Sequence, residues 1–344
     1  MKSKLPSPYE DHSKESTKMK NSISLLIAAV MAVLAAPTTV HAQATPFPSK
    51  TVTLVVPFTP SSGSDIIARI LAPKLAARWG QPVIVENKAG ASGNIGAQAV
   101  AVAAPDGHTL LMAINSFTMT PSVYKSIPFD AIADFAPVAK LAEAGYAFAV
   151  NPAVPAKDMA SLIAYVKKGG GQVNYATPGN GTPQHLAMEL FKSHYGLEIL
   201  HVPYKGISGA LTDLMGGQVQ MMFGTIHSMR PLEQSGKVRF LATTGAARNP
   251  IAPEIPTFKE QGIDVMDGVD AWYAVLAPGK TPPDLVARLN KDFIEVMNSE
   301  DVKTALAKQG LSVRTNTPAQ FAALVKSDMA RWKKVVTDSK ITAD

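Results

Sequence analysis

The chain contains no cysteine in 344 residues. This excludes disulfides, thiolate zinc sites, iron–sulfur clusters, cysteine nucleophiles and an N-terminal lipid-modified cysteine. Charged residues are sparse at 17% and aromatic ones at 7%, against 46% hydrophobic. The mix is too apolar for a disordered protein and too polar for a polytopic membrane protein. After the N-terminal segment, no apolar run reaches the roughly 18–20 residues of a spanning helix. The 33 Lys and Arg against 27 Asp and Glu are scattered rather than blocked. They read as solubility and weak anion attraction, not as a nucleic-acid footprint.

Catalytic and cofactor motifs are also missing. There is no G-x-S-x-G elbow and no phosphate-binding G-x-x-x-x-G-K-[ST]. Gly179-Asn180-Gly181 sits between a strand and a helix, but the third glycine of a dinucleotide loop would fall on Gln184. His185 and Glu189 are spaced i, i+4, as two metal ligands on one helix would be. With no third ligand in view, they read as a surface or hydrogen-bonded pair. Asp264, Asp267 and Asp270 lack the glycine and glutamate of an EF-hand loop. These absences leave no recognisable catalytic, metal or cofactor motif, and the sequence predicts no metal and no cofactor.

The N-terminus reads as an export signal. Lys18 and Lys20 precede the apolar run Ser22–Ala36, and small residues follow through Ala42. This basic, apolar, small-residue order defines a secretory signal peptide. It is expected over 1–42, with cleavage after Ala42 or Ala44 and a periplasmic mature protein. A membrane anchor is the alternative, and Met19 would be the more ordinary start.

The rest of the chain alternates strand and helix patterns. Thr51–Val56 is a β-branched apolar run. Ser64-Asp65 reads as a helix start, with Ile67, Leu71 and Leu75 on one face and Gly80 as terminator. Further strands are expected at Val83–Glu86, His108–Ala113, Tyr146–Val150, Val173–Ala176, Ile199–Val202, Val219–Phe223, Val238–Thr243 and Asp270–Leu276. Thr182-Pro183 is an N-cap followed by proline at the first helical position. The last helix follows Thr317-Pro318, with Phe321, Val325, Trp332 and Val336 on its apolar face. This grammar predicts an α/β fold with parallel sheets. Length suggests about two domains, with chain crossings near Val138–Leu141 and Met266–Trp272.

Four loops follow strands and feed helices: Phe58–Asp65, Asn115–Thr118, Thr177–Thr182 and Gly224–Thr225. Small residues there expose backbone N–H groups beside helix N-termini, which can hold a carboxylate without arginine. Each loop alone reads as ordinary turn chemistry. Four together in an exported two-lobed protein favour anion capture.

Several strings carry a family resemblance. They are Phe47–Phe58 (FPSKTVTLVVPF), Ser64–Arg69 (SDIIAR), Gly80–Lys88 (GQPVIVENK), Gly93–Gly96 (GNIG), Ala104–Leu111 (APDGHTLL) and His201–Gly206 (HVPYKG). Asp213–Val219 (DLMGGQV), Gly236–Arg239 (GKVR), Pro253–Thr257 (PEIPT) and Trp272–Pro278 (WYAVLAP) continue it. Together they resemble the Bug-type receptors, the substrate-binding proteins of tripartite tricarboxylate transporters. The resemblance implies a type II-like periplasmic binding protein: two α/β lobes joined by crossover strands, with a ligand cleft between. Lobe 1 is then expected over 45–140 plus 268–344, and lobe 2 over 141–267. It also implies that the first loop grips a carboxylate through backbone amides and ordered water. The family usually carries Gly-Gly where this chain has Ser61-Ser62, and often Asp where it has Gly224-Thr225.

On this basis the ligand-binding residues are expected to be Phe58, Ser61, Ser62, Gly63, Ser64, Asp65, Asn115, Ser116, Phe117, Thr177, Gly179, Asn180, Gly181, Thr182, Gly224, Thr225, Asp270 and Trp272. Phe58, Phe117 and Trp272 are candidates for apolar surface against a ligand body. Asp270 is the candidate partner for a ligand ammonium. The expected partners are a small organic carboxylate and either transporter membrane subunits or a sensor kinase, with no nucleic acid and a monomeric chain. A sensor input and an exported hydrolase or isomerase are the alternatives to a transport receptor.

Overall fold

The computed structural model describes residues 47–169 and 173–338, with Met1 and Ile341. The signal segment expected over 1–42 lies outside the described residues apart from Met1. Among the described residues, no helix is long and apolar enough to cross a membrane.

The first sheet has six strands in the order β11-β4-β10-β3-β1-β2. These are β1 (Val52–Val56), β2 (Val83–Asn87), β3 (Thr109–Ile114), β4 (Phe135–Ala144), β10 (Ala271–Pro278) and β11 (Leu311–Val313). The second has five strands in the order β7-β6-β8-β5-β9: β5 (Tyr146–Val150), β6 (Asn174–Thr177), β7 (Leu200–Pro203), β8 (Met221–Thr225) and β9 (Arg239–Thr243). Helix α1 (Gly63–Trp79) links β1 to β2, and α2 (Asn94–Ala101) links β2 to β3. Helix α3 (Ser116–Val123) follows β3, and α4 (Met159–Gly169) precedes β6. Helix α5 (Pro183–Tyr195) links β6 to β7, α6 (Ile207–Met215) links β7 to β8, and α7 (Ile226–Gln234) links β8 to β9. Helices α8 (Pro283–Met297), α9 (Glu300–Lys308) and α10 (Pro318–Asp338) complete the chain.

The sheets are mixed rather than parallel. Strand β1 runs parallel to β2 and β3, as in Val52↔Val83 and Thr53↔Thr109, and β6 runs parallel to β7 and β8, as in Tyr175↔His201 and Tyr175↔Met221. Strand β10 is antiparallel to β3 and β4, and β5 is antiparallel to β8 and β9. The reason is connectivity. A helix crossover delivers a parallel strand, whereas β5 and β10 enter their sheets directly from the other one. The chain changes sheet at Gly145, between β4 and β5, and again between Thr243 and Ala271. Val138–Leu141 lies within β4.

Burial follows the sequence pattern. Ile67, Leu71 and Leu75 are fully buried, and α1 stops at Gly80, whose left-handed backbone donates its N–H to the Ala76 carbonyl. The N-cap position belongs to Ser62, not Ser64, and it makes no side-chain cap bond. Phe321, Val325, Trp332 and Val336 are all buried on α10. Strands β5 and β10 are buried at every residue, as expected for strands covered on both faces.

Candidate functional site

One cavity of ≈ 580 Å³ is lined from both sheets, a size within the roughly 300–1,000 Å³ of small-molecule sites. It lies at the carboxyl ends of the parallel strands, where α/β folds bind ligands. From the first sheet come the loop after β1, the loop after β2 and the residues Tyr124, Ala271 and Tyr273. From the second come Tyr146 and the loops after β6, β7 and β8.

The loop after β1 is built around Asp65. This buried carboxylate accepts from the Ser61 N–H at 2.9 Å, from Arg69 Nε at 3.0 Å and from Asn87 Nδ2 at 3.0 Å. Asn87 also donates to the Phe58 carbonyl at 3.0 Å. Burial pushes the Asp65 carboxyl up, but the hydrogen bonds from Arg69, Ser61 and Asn87 outweigh it and hold it below its ordinary value. Asp65 therefore organises the loop and lies outside the cavity lining. Gly63 has a steric reason to be glycine: a Cβ there would overlap the Tyr273 hydroxyl and ring.

The loop after β6 is held by its own hydroxyls. Thr182 Oγ1 donates to the Gly179 carbonyl at 2.7 Å, and Thr177 Oγ1 lies 3.2 Å from the same oxygen. Gly181 has φ +69°, a conformation that disfavours side chains. Two helix N-termini, of α1 and of α5, thus reach the cavity from opposite sheets through Gly63 and Ser64 and through Thr182, Pro183 and Gln184. The first N–H groups of a helix have no intrahelical partner and carry partial positive charge.

The rest of the lining sets its charge. Among the described residues, no Asp or Glu lines the cavity, and Lys205 is the charged residue that does. Burial pushes His227 down to about 4, so its ring is neutral near pH 7. Its Nε2 lies 3.3 Å from Thr225 Oγ1, and its buried Nδ1 has no hydrogen-bond partner. Four tyrosines supply aromatic surface. The Tyr204 hydroxyl donates to Asp213, and Tyr124 pairs with Ser92 at 3.1 Å. Burial raises Tyr146 and Tyr273, so both keep their protons and remain possible donors.

The expected residues divide clearly. Phe58, Ser61, Ser62, Gly63, Ser64, Gly179, Asn180, Thr182 and Thr225 line the cavity. Asp65, Thr177 and Gly181 stand behind it as loop supports. Asn115 straps the Asp270 carbonyl at 3.3 Å, and Ser116 lies in the first turn of α3, buried. Phe117 packs edge-on against Phe135 at 4.9 Å in the core. Trp272 packs on Phe321 and donates its indole N–H to Asp328 at 2.7 Å, docking α10. Both rings are core; for Trp272 the reason is that a strand sends alternate side chains to opposite faces, and Tyr273 is the one that points to the cleft. Gly224 lies in β8 against Met229. Asp270 accepts from Thr244 Oγ1, which accepts from the Tyr146 N–H at 2.8 Å, so its carboxylate ties the two crossings together. His185 and Glu189 bond to different partners, His185 accepting from the Gly181 N–H and the half-buried Glu189 from Tyr175 and Lys192, and no metal-ligating cluster occurs among the described residues.

Sequence reasoning missed Ala89–Gly93, the four tyrosines, Lys205 and His227. The available signals were the small-residue run at Gly90–Gly93, Tyr204-Lys205 inside HVPYKG, and the position of Tyr146 and Tyr273 at the strand ends nearest the crossings. Ser61, Ala91 and Ser92 are the non-glycine residues with positive φ among those described. All three line the cavity, as strained backbone tends to at functional sites.

Comparison with known proteins gives the same picture. A profile of the tripartite tricarboxylate transporter family receptors (TctC) matches residues 67–341. Protein BugT of Bordetella pertussis is 34% identical over 295 residues, covering 85% of this chain and 90% of BugT. R. palustris Rpa4515, solved with adipate, superposes with TM-score 0.81 at 33% identity, covering 86% of this chain and 99% of that one. MatC of Rhodopseudomonas palustris, solved with bound malate, gives 0.78 at 33% identity, covering 84% and 100%.

Proposed function

The chain belongs to the tripartite tricarboxylate transporter receptor family, and from that premise we propose that it is a periplasmic receptor for a small organic carboxylate. It captures the ligand between its two lobes and delivers it to transporter membrane subunits, without turning it over. The lobe boundary expected at 140 moves to Gly145, because β4 stays in the first sheet to Ala144, and export depends on the segment 1–42. One observation carries the reading: two helix N-termini from opposite sheets meet a cavity that no carboxylate lines. An anion there meets oriented N–H groups, and the nearby Asp65 carboxylate is turned away from it onto Ser61, Arg69 and Asn87.

The lining also speaks to the ligand body. A ligand ammonium enclosed by the cleft would need an anionic partner, and among the described residues the lining offers none. Tyr124, Tyr146, Tyr204, Tyr273 and Phe58 instead present aromatic surface. The preferred ligand is therefore an unaminated mono- or dicarboxylate, with an aromatic acid well matched. One carboxylate sits between Gly63-Ser64 and the Gly179–Thr182 loop, and Ser61, Ser62 and Thr225 add hydroxyl donors. Isothermal titration against a panel of carboxylates and amino acids tests this reading.

A further inference from the structure

Behind the loop after β6, outside the cavity lining, two imidazoles are stacked. The rings of His185 on α5 and His201 on β7 lie 4.1 Å apart and nearly parallel at 13°. Tyr175 of β6 joins the stack 4.7 Å from His201. Each histidine holds one end of the loop. His185 Nδ1 accepts from the Gly181 N–H at 3.1 Å, and His201 Nε2 lies 2.7 Å from Thr177 Oγ1. That hydroxyl in turn contacts both the N–H and the carbonyl of Gly179.

The bond to Gly181 requires a lone pair on His185 Nδ1, so the ring must be neutral with its proton on Nε2. The surroundings enforce this. The charged groups facing the pair are Glu189 and Lys192, both from α5, with the Tyr175 hydroxyl from β6. Glu189 is paired with Lys192 at 2.6 Å and accepts from Tyr175. Burial, then Lys192, push His185 down to about 4. Burial, then His185, push His201 down to about 3, with Glu189 opposing and Lys192 adding to the shift.

We propose that His185, braced by His201, is a positioning residue of the ligand loop: its neutral ring fixes Gly181 in the left-handed conformation that presents Asn180 and Thr182 to the cavity. The inference rests on the reading that this loop meets the ligand, but its test needs no ligand, so the two can fail separately. Nitrogen-15 NMR of the ligand-free protein should find His185 as the Nε2–H tautomer and not titrating between pH 8 and 5. The Gly181 amide should lose at least tenfold of its hydrogen-exchange protection in His185→Ala and regain it in His185→Asn, whose Oδ1 can take the place of Nδ1. In the wild type that protection should fall as the pH drops through about 4, and in His185→Asn it should not. A His185 ring titrating near 6.5, or equal Gly181 protection in all three proteins, would overturn the proposal. Should His185→Ala fail to fold, the wild-type ring state and the His185→Asn pH profile still decide it.

Discussion

The Ser92 hydroxyl donates to the Asn180 carbonyl at 2.5 Å. This bond joins the loop after β2 to the loop after β6, and so the first sheet to the second. Ser92 holds a left-handed backbone at φ 54°, a cost for a non-glycine residue that the cross-cleft contact helps offset.

Removing that bond should loosen the contact across the cleft. A neutral hydrogen bond nets about 0.5–1.5 kcal/mol, so Ser92→Ala should weaken ligand binding by about two- to tenfold, chiefly through faster release. Stopped-flow release rates from wild type and variant check this. Equal rates would show that the contact plays no part in holding ligand.

The loop glycines should matter more than the loop serine. Gly179 and Gly181 have φ of +150° and +69°, and a Cβ on Gly181 would come within 3.2 Å of Val123. Valine at either position should cost more affinity than Ser61→Ala, whose hydroxyl is at most one of several donors. Calorimetry on folded variants measures the order, and normal binding by both valine variants would remove the loop from the site.

Gly63 and Tyr273 should couple. A methyl at Gly63 overlaps the Tyr273 ring, and overpacking of this kind costs about 1–3 kcal/mol. Gly63→Ala should lower the thermal midpoint, and adding Tyr273→Leu should recover part of the loss. Additive effects in the double variant would contradict the contact.

Stability should fall in mild acid. Burial lowers His185 and His227 to about 4 and His201 to about 3, from an ordinary 6.5. Between those values the unfolded chain binds more protons than the folded one, so stability declines as the pH drops below 6.5 and is unaffected by these groups above it. Melting curves from pH 8 to 4.5 should show a plateau and then a decline, shallower in His185→Asn. A flat profile down to 4.5 would mean these rings are not buried neutral.

Much of this architecture was legible because it rests on local patterns. Thr182-Pro183 marks the start of α5, Gly80 the end of α1, and the spacing of Phe321, Val325, Trp332 and Val336 the buried face of α10. Helices α3 and α7 were legible only as helices fed by the loops Asn115–Thr118 and Gly224–Thr225, without bounds, since each follows its strand almost directly and carries an internal proline, Pro121 and Pro231. The direction of β5 and β10 depends on which sheet they join, which no local pattern records. The site was half legible for the same reason. Loops rich in Gly, Ser and Thr announce themselves, whereas a tyrosine at a strand end reads as core until the pleat is known. Trp272 and Tyr273, one residue apart, point to opposite faces, and the aromatic expectation fell on the wrong one of the two.

The central claim is capture of an unaminated carboxylate, and titration calorimetry of the purified protein measures it directly. Adipate, citrate, nicotinate and terephthalate are compared with glutamate and aspartate at matched concentration. The account predicts one-to-one binding of at least one of the first four and none of the amino acids. Binding of the amino acids alone would contradict it.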